Sequence, residues 1–219
     1  MASKNIDLTN RLQQCYTGAV YDAMRELGLK ANLLSKSIRP LDSSLTLAGP
    51  VWTFSGTVDT SISDDESLMS WTKLLSDAPS GTVMVGQPND SSIAHMGELS
   101  VEALKLKGVL GYVVDGGCRD CSVIVKREFP VFCKYMTPSD VVGRWRVTSM
   151  SKPIIIDDVE IFSGDYMIGD MDGVIIIRAD DVEKVVERSE YLVNTETELR
   201  KAILKGMDPL EAYLKYRVF

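Results

Sequence analysis

Apolar residues along the chain alternate between helical spacing and short continuous runs, and this pattern predicts a mixed α/β architecture. From Ile6 to Leu29 they fall at Leu8, Leu12, Val20, Ala23, Met24 and Leu27, with Gly28 as a stop and Thr17 available as an internal cap. That spacing predicts one or two helices. A loop-rich stretch through Pro40 leads to Leu47-Ala48-Gly49-Pro50 and the alternating run Val51 to Val58, a strand. Leu68 to Ser76 reads as a helix and Gly81 to Gly86 as a short buried strand. Leu99, Ala103, Leu104 and Leu106 recur at near-helical spacing, with Gly108 as the C-terminal stop. Val109 to Val114 then reads as a strand covered on both faces. A helix over Asp120 to Arg127 and a strand over Pro130 to Tyr135 complete consecutive β-α-β units.

The last third changes character. Arg144 to Val147, Pro153 to Ile156, Val159 to Phe162 and Gly173 to Ile177 read as strands separated by Gly-Asp turns, a largely antiparallel layer. Asp165, Asp170 and Asp172 resemble calcium ligands at first sight, but no EF-hand glutamate follows, and Asp-Gly beside strands is turn chemistry. Asp180 to Lys205 predicts a charged helical arm with a modest apolar face, which either lies on another subunit or is a solvated surface helix.

The chemistry concentrates between Gly97 and Asp120. Twenty residues separate Glu98 from the adjacent pair Arg119-Asp120, enough for one short helix and one buried strand, so the chain leaves and returns to the same end of a sheet. Asp115-Gly116-Gly117 supplies the tight turn. The helix start near Gly97 to Ser100 offers unpaired amides to a carboxylate, and Arg119 adds a two-pronged cation. Asp120 remains to face a hard divalent cation.

Composition narrows the partners. The chain has 219 residues and a formal net charge of -7, which argues against a nucleic-acid backbone as ligand. No apolar run is long enough to span a bilayer, and Met1 to Asn5 lacks the apolar segment of a signal peptide, so a cytoplasmic protein without membrane contact is expected. Neither a G-x-G-x-x-G fingerprint nor a phosphate-binding G-x-x-x-x-G-K-[ST] loop is present. His95 is the only histidine, which excludes multi-histidine metal sites; it is expected as a packed loop residue or a pocket wall. Lys134, a formal candidate for a Schiff base, reads as a lysine at the exposed end of a strand. Cys118-Arg119-Asp120-Cys121 is a C-x-x-C at a strand-to-helix turn, but with no second pair and no histidine cluster, small core cysteines are the preferred reading.

Gly97-Glu98-Leu99, Ala103, Gly108, Gly111, Val114-Asp115-Gly116, Arg119-Asp120 and Pro130-Val131-Phe132 together resemble the signature of the RraA-like family. This family contains 4-hydroxy-4-methyl-2-oxoglutarate/4-carboxy-4-hydroxy-2-oxoadipate aldolases and regulators of ribonuclease E activity. Ala23, Leu27-Gly28, Leu47 to Pro50 and Gly164 to Val174 extend the resemblance over most of the chain. It implies a three-layer β/β/α, swivelling-domain-like fold over residues 1–178. A C-terminal helical arm over 179–219 would pack on a neighbouring subunit, in trimeric rings either alone or paired into hexamers. It further implies that Arg119 binds the pyruvate moiety, that Asp120 holds Mg2+ or Mn2+, and that Glu98 contacts the metal's waters. Backbone amides from Gly97 through Leu99 to Ser100 would hold the pyruvate carboxylate. A glutamate of the neighbour's arm would complete the water shell, which falls on Glu196, with Glu198 as the alternative.

Three positions depart from the family. Glu98 stands where the aldolases carry aspartate, Arg178 where proline is frequent, and Trp145 in a region that is otherwise small and glycine-rich. His95 and Trp145 are therefore expected to shape the pocket. The activity implied is metal-dependent cleavage of 4-hydroxy-2-oxo acids to pyruvate, accompanied by oxaloacetate decarboxylation. A non-catalytic regulator that binds a ribonuclease or helicase is the alternative. A methyltransferase is disfavoured because no glycine-rich adenosylmethionine loop is visible, and a lysine-dependent aldolase is a minor enzyme alternative.

Overall fold

The computed structural model describes the backbone of residues 2–217 and the side chains from Ile6 to Arg217. Met1, at the head of the N-terminal segment, and Val218 and Phe219, at the end of the predicted arm, lie outside the described residues. In chain order the elements are α1 (Ala2–Gln13), α2 (Thr17–Glu26), β1 (Asn32–Leu33), β2 (Arg39–Pro40), β3 (Leu47–Val58), α3 (Asp64–Asp77), β4 (Val83–Gln87), α4 (Glu98–Leu106), β5 (Gly111–Val114) and β6 (Gly117–Cys118). There follow α5 (Cys121–Lys126), β7 (Val131–Cys133), β8 (Tyr135–Met136), β9 (Trp145–Met150), β10 (Ile154–Ile156), β11 (Val159–Ile161), β12 (Tyr166–Asp170), β13 (Gly173–Ile177), α6 (Val182–Leu204) and α7 (Pro209–Tyr216).

One sheet organises the molecule, in the order β1-β13-β12-β3-β4-β5-β7-β2, with β9 also on β3. Its middle, β3-β4-β5-β7, is parallel, and the flanking strands are antiparallel. The long strand β3 serves three partners along its length: β12 at residues 47–50, β4 at 51–55 and β9 at 54–58. Parallel neighbours need crossover helices, and α4 and α5 supply them between β4, β5 and β7. These helices, with α3, bury Leu74, Leu104 and Ile124 against Phe54, Met84 and Tyr112. The hairpin β10-β11 buries Ile154, Ile156 and Ile161 against Val83, Val85 and Val113, which alternate with that first set along the strands. Helices α1, α2 and α6 cover Ile168, Ile175 and Ile177 of β12 and β13.

Trp145 corrects an expectation. It is fully buried and is not among the residues lining the cleft beside Glu98 and Arg119, packing instead behind Trp71 and His95 of its wall. The register of β3 against β9 shifts between Ser55 and Gly56, and a Cβ on Gly56 would lie 1.8 Å from Trp145 Cζ2, so the indole occupies the space a side chain would take. Its Nε1 donates to the Pro88 carbonyl at 2.9 Å, and its ring meets Trp71 and His95 edge-on, with centroids 6.0 and 5.4 Å away.

The stretch read only as turns contains a strand, β12. Tyr-Met-Ile-Gly of 166–169 is buried on both faces, and the density of Gly and Asp around it concealed a five-residue element. The aspartates tie its ends. Asp165 accepts from the Phe162 amide at 3.0 Å, from the Ala179 amide at 3.2 Å and from Arg178 Nη1 at 2.8 Å. Arg178 also lies over the Phe162 ring, 4.8 Å from its centroid. Asp170 accepts from both the amide and the hydroxyl of Thr17, at 2.8 and 2.7 Å. The start of α2 is thus held by another strand, and Thr17 is its first helical residue instead of a cap.

The first half of α6 does not leave the core: Val182, Val185, Val186 and Leu192 are buried, and Glu190 pairs with Arg11 of α1 at 2.7 Å. Beyond it, Leu204, Leu210 and Leu214 stand exposed. No helix among the described residues is long and apolar enough to cross a membrane.

Candidate functional site

Two chain segments meet where the parallel strands end. The His95 amide donates to the Gly117 carbonyl at 2.8 Å and the Arg119 amide to the Met96 carbonyl at 2.9 Å, so residues 95–97 and 117–119 run side by side. Gly97 is the extended N-cap of α4, and Glu98 its first residue. Asp120 caps α5 with φ +56°, a left-handed conformation that aspartate tolerates better than most side chains. That backbone swings its carboxylate onto the start of α4, where Oδ2 accepts from the Glu98 amide at 3.2 Å. An anion at the positive end of a helix is stabilised there.

Arg119 lies between two carboxylates. Its Nε is 3.6 Å from Asp120 Oδ2, and its Nη1 donates to Asp140 Oδ2 at 2.9 Å. Gly97 makes the approach possible, because a Cβ there would sit 2.8 Å from Asp120 Oδ2 and 3.2 Å from Arg119 Nε. Around these groups a cleft of about 490 Å3 is walled by Trp71, Leu75, Met96 and Val141, with Glu98, Leu99, Ser100 and Glu102 along the α4 side. Trp71 Nε1 donates to Ser100 Oγ at 2.9 Å, which fixes the hydroxyl on the wall.

The structure therefore brings Gly97, Glu98, Leu99, Ser100, Arg119 and Asp120 to one cleft. The Glu98 carboxylate pairs with Arg127 Nη2 at 2.9 Å, which Glu102 shares at 2.8 Å. Glu196 is not among the cleft residues of its own chain. It takes a hydrogen bond from the Tyr16 hydroxyl and lines a separate groove with Leu199, Arg200 and Ile203. Glu198 pairs with Lys201. Lys134 is outside the cleft and ion-paired with Asp115, a poor setting for a free amine nucleophile.

Asp140, Arg127 and Trp71 were not anticipated as site residues. Asp140 sits in the Thr137-Pro138-Ser139-Asp140 turn, and its only sequence signal is that an Asp there resembles turn chemistry. Its meeting with Arg119 is long-range.

Among the described residues no three His, Cys, Asp or Glu side chains converge as a ready cage. The carboxylate open to the cleft beside the helix start is that of Asp120, half-exposed, while Asp140 is held on the far side of Arg119. This fits a small hard cation that keeps much of its water and takes one or two protein carboxylates, the habit of Mg2+.

Replacing Gly97 by alanine is expected to push Asp120 and Arg119 off their positions while leaving the fold intact. Displacement of order 1 Å costs about a hundredfold in rate. The checks are kcat/KM beside an unchanged circular dichroism spectrum.

His95 lines the back of the cleft yet is wholly buried, and neither ring nitrogen has a hydrogen-bond partner among the described residues. Burial lowers its pKa from 6.5 to about 4, opposed in part by Asp90, whose Oδ2 lies 3.6 Å from Nε2. The unfolded chain binds this proton below pH 6.5 and the folded chain only near pH 4, so the neutral ring's contribution is complete above pH 6.5 and is lost as pH falls toward 4. The expected loss is about 3 kcal/mol, readable as the change in urea midpoint across that window; a His95→Leu variant is expected to flatten the slope.

Fold and site together define an α/β protein with a cleft that gathers Arg119, Asp120 and Asp140 at the start of α4. The family model for RraA-like proteins, described as Aldolase/RraA, matches residues 17–176, and the chain belongs to this family. A protein of Halalkalibacterium halodurans named "Putative 4-hydroxy-4-methyl-2-oxoglutarate aldolase" is 25% identical over 215 residues, covering 98% of this chain and 97% of that one. A solved structure described as one of novel cellulases from microbes associated with the gut ecosystem is 31% identical, with a TM-score of 0.81 over 89% of this chain and 87% of that one. Streptomyces coelicolor RraAS2, described as an unusual member of the RNase ES inhibitor RraA family, superposes with a TM-score of 0.76 at 23% identity, over 89% of this chain and 96% of that one. That last likeness is one of fold.

Proposed function

We propose that the protein is a divalent-metal-dependent pyruvate aldolase. It cleaves 4-hydroxy-2-oxo acids of the 4-hydroxy-4-methyl-2-oxoglutarate type and also decarboxylates oxaloacetate. The observation that carries this reading is Arg119 held between Asp120 and Asp140 at the N-terminus of α4. With a divalent cation on Asp120, Arg119 and the α4 amides would bind a small carboxylate and stabilise an enolate.

Asp120, with water and the substrate's own oxygens, would hold Mg2+ or Mn2+, which when bound polarises the 2-keto group. The amides of Leu99 and Ser100 in the first turn of α4 receive the substrate carboxylate, while the Glu98 amide already holds Asp120. Arg119 faces the oxygen on which negative charge grows as the C3–C4 bond breaks, and Asp140 fixes the guanidinium so that little reorganisation accompanies the step. Glu98, oriented by Arg127, orders the water that takes the 4-hydroxyl proton. The same enolate arises when oxaloacetate loses carbon dioxide.

The second acid is assigned to Glu196 of a neighbouring subunit, with Glu198 as the alternative. The exposed Leu204, Leu210 and Leu214 on the last turns support an arm, within 179–219, that packs on another copy. The assembly proposed is a ring-shaped trimer or a pair of trimers of β/β/α domains spanning 1–178, in the cytoplasm and without nucleic-acid or membrane partners.

Glycoside cleavage is not favoured. It needs a carboxylic acid free to protonate the leaving oxygen, whereas Asp120 and Asp140 pair with Arg119 and Glu98 pairs with Arg127.

The test is pyruvate release from 4-hydroxy-4-methyl-2-oxoglutarate and from oxaloacetate, using chelator-treated protein with and without Mg2+ or Mn2+. Turnover restored by metal, above the rate of the free ion, is expected. No turnover of either compound overturns the reading in favour of a regulatory binding protein.

A further inference from the structure

The C-x-x-C of Cys118 and Cys121 gains a third thiol in three dimensions. Strand β6 runs parallel to β8, pairing Gly117 with Tyr135 and Cys118 with Met136, and the Lys134 amide donates to the Gly116 carbonyl at 2.8 Å. Cys133, at the end of β7, lies in the same buried cluster as Cys118, with Cys121 packed against it. The Cys118 thiol donates to the Arg119 carbonyl at 3.4 Å, and Cys118 and Cys121 line one hollow together. Cys118 and Cys133 are buried, and Cys121 is partly exposed.

A second hollow, of about 380 Å3, opens onto this cluster. Its lining includes Cys118, Cys121, Met136 and Thr137, and it shares Arg119 and Asp120 with the cleft. The two residues between the cysteines are thus the two that define the site, and a small oxidant reaches the thiols without entering the substrate cleft.

We propose that Cys121 and Cys118 form an oxidation site, in which a hydroperoxide converts the two thiols to a disulfide that closes a ring around Arg119 and Asp120. Cys121, the accessible thiol, attacks the peroxide: its sulfur forms a bond to one oxygen, the O–O bond breaks, and the other oxygen leaves as water or an alcohol with the thiol proton. The sulfenic acid so formed is attacked by Cys118, which expels a second water with the Cys118 proton. Two thiols and one peroxide become one disulfide, with two electrons passing from sulfur to the peroxide oxygens. A thiol reductant reverses it by exchange.

The bond has a direct consequence for the turn. It holds the sulfurs at about 2.05 Å and demands a dihedral near 90° between them. Asp120, already in a left-handed backbone conformation, lies inside the ring, so the strain falls on its hydrogen bond from the Glu98 amide. Disulfide formation and loosening of this contact stand apart from the aldolase reading; the effect on turnover rests on it.

The test treats the folded full-length protein with hydrogen peroxide, blocks free thiols with N-ethylmaleimide and digests with trypsin without reductant. Cleavage after Arg119, Lys126 and Arg127 places the three cysteines on three peptides. The peptide ending at Arg119 is expected linked to the peptide Asp120 to Lys126 and released by dithiothreitol. In the oxidised protein, hydrogen exchange at the Glu98 amide is expected to rise at least tenfold, and pyruvate release to fall at least tenfold until reductant is added. A Cys121→Ser variant is expected to keep its basal rate and resist peroxide. Three alkylated thiols, or a Cys118–Cys133 link in place of the expected one, would falsify the site; a Cys118–Cys121 link with unchanged exchange at Glu98 overturns the coupling to Asp120. If reduced protein releases no pyruvate, the aldolase reading fails, while peptide mapping and exchange still decide this one.

Discussion

Asp120→Asn is expected to reduce metal-dependent pyruvate release by about a hundredfold or more, with thermal stability close to that of the parent. The loss of rate follows from position. Asp120 Oδ2 sits at the N-terminus of α4, beside the Arg119 guanidinium and in the open cleft. Asparagine keeps the shape and can still accept from the Glu98 amide, but it removes the charge that would hold a hard cation and balance Arg119. Stability changes little because the side chain is half-exposed and its backbone conformation is one that asparagine also adopts. Steady-state kinetics over a metal titration, beside a melting curve, check the result. Parent-like turnover at saturating metal would remove Asp120 from the proposed machinery.

Trp145→Ala is expected to cost about 3–5 kcal/mol, a large share of the stability of an ordinary domain. The indole is wholly buried, fills the notch left by Gly56, and packs against Trp71 and His95. Truncation opens a cavity in the layer beneath α3 and leaves the Pro88 carbonyl without its donor. Since Trp71 also walls the cleft, a second consequence is slackening of the Trp71 contact to Ser100. Trp145→Phe is expected to recover more than half of the loss, because most of the apolar surface returns while the hydrogen bond does not. Urea denaturation of the three proteins measures both effects; an alanine variant within 1 kcal/mol of the parent would show that the pocket closes over the gap.

The meeting of Glu98 with Arg119 and Asp120 in one cleft was legible in the chain, and for a local reason. Glu98 and Arg119-Asp120 are the ends of one β-α-β excursion, so a helix-length run followed by a buried strand suffices to return the chain to its start. The partners of Arg119 on its other flank were not legible. Asp140 arrives from a turn after β8, twenty residues beyond Asp120, and nothing in its local pattern distinguishes it from other turn aspartates. Trp145 shows the opposite error. A tryptophan in a region otherwise small and glycine-rich reads as shaping the pocket, and only the register shift at Gly56 creates the buried notch that receives it. The same holds for β12, whose residues read as turn chemistry until β3 and β13 pair with them on either side.

By itself, the sequence determined the succession of helices and strands in the central units, the excursion that joins Glu98 to Arg119 and Asp120, and the resemblance to the RraA-like family. These rest on periodicity and short-range spacing, which every chain segment carries within itself. The tertiary structure alone decided which residues meet across long separations: Asp140 on Arg119, Arg127 on Glu98, Asp170 on Thr17, and Cys133 in one buried cluster with Cys118. Such meetings depend on strand order and register in the sheet, and a shift of one residue in a strand reverses every side chain's face, so no local pattern encodes them.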